Sequence, residues 1–69
     1  MHMQPVSSSN IDSVGYSPID KKLRVQFLNG MTYQYEGVPQ NVALALVSAS
    51  SVGKYFNANV RTSYPYKEI

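Results

Sequence analysis

The sequence has no cysteine and no tryptophan, a single histidine, and only four carboxylates against six lysines and arginines in 69 residues. Without thiols there are no disulfides and no thiolate metal sites, and the redox compartment cannot be read. A lone His2 excludes a multi-histidine metal centre and a Ser-His hydrolase, so neither a metal nor a cofactor is expected. Asp12, Asp20, Glu36 and Glu68 are scattered, with no spacing that suggests an acid–base pair. The four glycines make neither a P-loop nor a dinucleotide fingerprint. The chain therefore reads as non-enzymatic. No apolar run approaches the roughly 18 residues of a membrane span, which predicts a soluble, cytoplasmic protein with no membrane partner. A net charge of +2 makes the surface slightly basic, far from the clustered cations of a dedicated duplex binder.

What is present organises into one domain over residues 10–69. Residues 1–9 contain Pro5 and the triplet Ser7-Ser8-Ser9, with little to bury, and read as a flexible tail whose first three residues look like a remnant ahead of a native start. Ile11, Val14 and Tyr16 suggest a first strand, stopped at Ser17-Pro18. In "KLRVQF", Leu23, Val25 and Phe27 alternate with Lys22, Arg24 and Gln26; in "MTYQYE", Met31, Tyr33 and Tyr35 alternate with Thr32, Gln34 and Glu36. These two strands form a hairpin, and its loop length sets which faces match. A two-residue Asn29-Gly30 turn would mix the tyrosines with Arg24 and Gln26. A three-residue Leu28-Asn29-Gly30 loop pairs Phe27 with Met31, Val25 with Tyr33 and Leu23 with Tyr35, giving one apolar and one polar face. The second register is expected, with Tyr33 and Tyr35 in the core and Gln34 on the polar face.

Val38-Pro39 opens a helix whose buried stripe is Val42, Ala45, Leu46 and Ala49, widened by Leu44 and Val47. Ser50 or Ser51 caps a second helix, in which Val52, Phe56 and Val60 recur every four residues until Pro65. The expected fold is α+β: a three-stranded antiparallel meander covered on one face by two C-terminal helices.

One polar constellation stands out. Lys54, Asn57 and Arg61 are spaced i, i+3 and i+7 along the second helix, and Ser51 and Gly53 sit at its start, where free N–H groups favour anions. Such a stripe can hold a phosphate backbone, although it is also what the solvated side of any amphipathic helix looks like. Gly53 in the first turn, a position that costs roughly 1 kcal/mol relative to alanine, implies close approach of another segment. Tyr55 or Tyr16 could stack on unpaired bases, or simply cover the rim of a small core.

Across Ser8–Pro65 the chain resembles the KTSC domain family. The resemblance rests on the ordered set Tyr33-Gln34-Tyr35, Val38-Pro39, Gly53, Tyr55-Phe56-Asn57, Arg61 and Tyr64-Pro65. Ser17 departs from the pattern, which commonly has an aspartate there. The family occurs at the C-terminus of some lysyl-tRNA synthetases and as small stand-alone bacterial or phage proteins. The resemblance thus implies binding of RNA or another single-stranded nucleic acid, and so few cations make weak, salt-sensitive binding the expectation. The alternative partner is a protein, met through the second helix or through the hairpin edge with Arg24 or Glu36 beside it, as in a phage accessory module.

Overall fold

The computed structural model describes all residues, 1–69. Strands β1 (Met3–Pro5), β2 (Ile11–Ser17), β3 (Lys22–Phe27) and β4 (Thr32–Glu36) precede helices α1 (Gln40–Ser48) and α2 (Val52–Asn59), and a last strand, β5 (Tyr66–Glu68), follows them. All neighbouring strands are antiparallel, in the order β1-β2-β3-β4-β5. The fold is α+β with two helices, as expected, but the sheet has five strands rather than three. The two additions are edge strands of three residues each, too short to show alternation. Residues 3–5, expected in the tail, pair with Gly15, Val14 and Ser13. Pro5, which lacks an N–H, is tolerated there because an edge strand uses only one of its sides.

The hairpin adopts the three-residue register: Val25 faces Tyr33 and Leu23 faces Tyr35. Phe27 N–H donates to the Met31 carbonyl at 2.8 Å, and Gly30 holds the positive φ of +92° that closes the loop. In β2, Ile11 and Val14 are three residues apart, which strict alternation would put on opposite faces. A bulge between Ile11 and Ser13 resolves the conflict, so both side chains enter the core while Asp12 stays exposed.

The core comprises Ile11, Val14, Leu23, Val25, Tyr35, Val38, Ala43, Leu46, Val52, Phe56 and Val60. Phe27, Tyr33 and Val42, expected inside it, are half-buried and pack against it. In α1 the buried residues are Ala43 and Leu46, whereas Leu44, expected to widen the stripe, is 57 % exposed. The reason is local: "VALALV" is apolar all round, so periodicity alone does not say which side faces the sheet. Pro39 is the N-cap residue of α1 rather than its first helical residue.

The opposite face of the sheet is less wet than alternation implies. Gln34 is only 5 % exposed. Its Oε1 accepts from Arg24 Nη2 at 2.8 Å, and its Nε2 donates to Glu36 Oε2 at 2.9 Å. A Cβ added to Gly15 would lie 2.6 Å from Met3 Sδ and 3.0 Å from the His2 carbonyl oxygen, so the first residues lie directly on this face.

Candidate nucleic-acid interface

Helix α2 is capped by Ser51, whose Oγ accepts from the Lys54 N–H at 3.4 Å, and it places Val52 and Phe56 against the sheet. It ends at Asn59, well short of Pro65. Asn59 Nδ2 donates to the Tyr55 carbonyl, and Asn57, Asn59, Thr62 and Ser63 are poor helix formers. Val60 is the C-cap, and the Arg61 N–H closes back onto the Phe56 carbonyl at 2.9 Å. Arg61, expected from its spacing to share a helical stripe with Lys54, therefore lies beyond the helix and off that stripe. It is turned towards the sheet.

There it shares a groove with five aromatic rings packed in a closed cycle. Phe27 contacts Tyr33 at 5.7 Å and Phe56 at 5.6 Å between centroids; Tyr33 contacts Tyr66 at 5.5 Å; Tyr35 contacts Tyr66 at 5.3 Å and Phe56 at 5.5 Å. Four of these contacts are edge-on, the geometry that aromatic quadrupoles favour. Phe56 and Tyr35 close the bottom of the cycle, and Tyr66, 58 % exposed, forms its outer wall. The Tyr35 hydroxyl is pushed up to a pKa of about 12, by burial first and then by the Tyr66 and Tyr33 hydroxyls, with Arg61 opposing them.

The rings line an open groove of about 1010 Å³, completed by Arg61, Asn57, Asn10, Asn29 and Tyr64, among others. A second, polar hollow of about 560 Å³ adjoins it. Ser7–Asn10 face Ser50–Lys54 across that hollow, and Asn10 and Asn57 line both cavities. Gly53 is explained here. A Cβ at that position would sit 2.9 Å from Asn10 Oδ1 and 3.4 Å from Ser8 Oγ, so the segment that approaches α2 at Gly53 is the serine-rich one.

The residues singled out in the sequence thus divide. Asn57 and Arg61 line the aromatic groove; Ser51, Gly53, Lys54 and again Asn57 line the polar hollow. Tyr55 is half-buried against the core and belongs to neither cavity. Tyr16 lies among α1 residues, donates its hydroxyl to the Val38 carbonyl and lines neither cavity. Asn10, Asn29 and Tyr66 were missed. Tyr66 belongs to a strand too short to register, and the two asparagines sit in turns whose position relative to α2 only the folded chain defines.

The sequence pattern of the KTSC domain matches residues 7–64. The chain belongs to the KTSC domain family. A KTSC domain protein of Yersinia pestis, known from its crystal structure, is 40 % identical and superposes with a TM-score of 0.93, over 99 % of this chain and 96 % of that one. A protein of Tsukamurella paurometabola is 40 % identical over 62 residues, 90 % of this chain and 92 % of its own length. An uncharacterized protein of Stutzerimonas stutzeri is 44 % identical over 52 residues, 75 % of this chain and 73 % of its own length. The matched KTSC segment includes Ser7–Asn10, Asn29, Asn57, Arg61 and the rings of Phe27, Tyr33, Tyr35 and Phe56, and ends just before Tyr66.

Proposed function

We propose that this KTSC domain is a non-enzymatic module that binds single-stranded nucleic acid, RNA foremost, in the aromatic groove and the adjoining polar hollow. The observation that carries the reading is their junction. A surface of tyrosine rings beside Arg61 runs through Asn57 into a hydroxyl-lined hollow beside Lys54 and the start of α2. Unpaired bases stack on tyrosine faces, while cations and helix-start N–H groups hold the backbone between them. With two cations at the site, binding is weak and salt-sensitive.

The test is a fluorescence titration with labelled single-stranded RNA and duplex controls, at low and at moderate salt. Binding of the single strand that weakens with salt, and is weaker in Arg61→Ala with unchanged melting, supports the reading. Flat curves at the highest attainable protein concentration overturn it and favour a protein partner.

A further inference from the structure

The groove does not offer hydrogen-bond donors and acceptors evenly. Asn29 Oδ1 accepts from the Met31 N–H at 3.0 Å. Because a backbone N–H can only donate, the amide orientation is fixed, and its two N–H bonds are left over. Asn10 is held in the same sense. Ser8 Oγ accepts from the N–H groups of Asn10 and Ile11, and its own proton goes to Asn10 Oδ1 at 3.1 Å. That oxygen is also the atom turned towards Gly53. The two turns are tied together by the Leu28 N–H, which donates to the Asn10 carbonyl at 2.9 Å. Both asparagines line the aromatic groove, and Arg61, which can only donate, lines it as well. Asn57 makes no such internal bond and can present either edge.

Resting on the single-strand reading above, we infer that the groove selects bases with a carbonyl at C4 of a pyrimidine or C6 of a purine, uracil and guanine, over those with an amino group at that position, cytosine and adenine. Asn10 and Asn29 set the preference. The amide donors match a carbonyl oxygen, and against an exocyclic amine they would meet donor with donor, leaving both groups unpaired. Guanine presents two adjacent acceptors, O6 and N7, and is the fullest match.

Uracil and cytosine have one ring size and stack similarly, so comparing oligo-U with oligo-C isolates the hydrogen-bonding edge. Inosine against adenosine does the same for purines. Oligo-U is expected to bind about tenfold more tightly than oligo-C, with inosine strands above adenosine strands, as one or two well-made polar contacts imply. Asn29→Asp and Asn10→Asp keep the internal acceptor and replace the free donors with an acceptor. The added charge weakens every strand alike, so the U-to-C ratio is the readout. It should fall towards one in each variant and reverse in the pair, with melting preserved. Equal or inverted binding of U and C by the parent protein overturns the inference while leaving the single-strand reading standing, as does a ratio indifferent to both variants. Failure of every strand to bind overturns both.

Discussion

Phe56 packs edge-on against both Phe27 and Tyr35, and so joins α2 to strands β3 and β4 through one side chain. It is 2 % exposed in a core of eleven buried apolar residues, with no disulfide or metal ligand cluster to share the load. Phe56→Ala is expected to cost about 3–5 kcal/mol, enough to unfold a domain this small. Loss of the cooperative thermal transition would show it; a shift of a few degrees would mean that the ring is not the anchor. Tyr35, on the other side of Phe56, gives a pH-dependent reading of the same packing. The folded chain keeps the Tyr35 proton to about pH 12, whereas the unfolded chain releases it near the ordinary value of 10.0. Between these limits the unfolded state has lost a proton that the folded state retains, so the stabilisation is complete below pH 10 and falls as the pH rises towards 12. In an alkaline titration followed by tyrosinate absorbance, one of the six tyrosines should ionise last, together with loss of structure.

At the scale of elements, the long alternating segments were readable in advance and the short ones were not. Leu23, Val25, Tyr33 and Tyr35 fall in the predicted register because a one-residue slip would have put Arg24 and Gln26 among the aromatics. The same alternation put Gln34 on the right face and suggested that it was solvated, since it carries no record of Arg24 and Glu36 folding over it. Strands β1 and β5 exist because β2 and β4 offer open edges, which is a property of the assembled sheet. The site was half-readable for a related reason: Asn57 and Arg61 were found, but the helix end that turns Arg61 to the rings, and the strand that brings Tyr66 to them, are tertiary outcomes. Strand β5 can be separated from β1 by truncation. Removing residues 66–69 takes away the ring that packs against both Tyr33 and Tyr35. Melting should fall, and Tyr35 should titrate closer to 10.0, because both its burial and its Tyr66 neighbour are lost. Removing residues 1–5 should lower melting too, through the contacts on Gly15, but leave the titration of Tyr35 where it was. Equal effects of the two truncations on that titration would mean that Tyr66 does not shield the ring.

For the whole molecule, the distribution of charge matters more than its sum. Lys22, Arg24 and, opposite Gln34, Lys67 lie on the sheet face away from the helices, and Lys21 is in the turn before β3; only Lys54 and Arg61 line the two joined cavities. If the strand lies in those cavities, about two phosphates are neutralised. The slope of log K against log salt is then roughly −1.4, which corresponds to about a sevenfold loss of affinity between 50 and 200 mM salt. Arg61→Ala and Lys54→Ala should each make the slope shallower by about 0.7 and leave melting unchanged, because both side chains are exposed. Tyr66→Ala should behave differently. It should lower affinity by a similar factor at every salt concentration, on the order of 1–3 kcal/mol per base stacked, with the slope intact. Lys22→Ala and Lys67→Ala should change neither quantity by much. A slope steeper than about −3, or one that responds to Lys22 and Lys67 rather than to Lys54 and Arg61, would place the nucleic acid across the far face of the sheet and remove the aromatic groove from the mechanism.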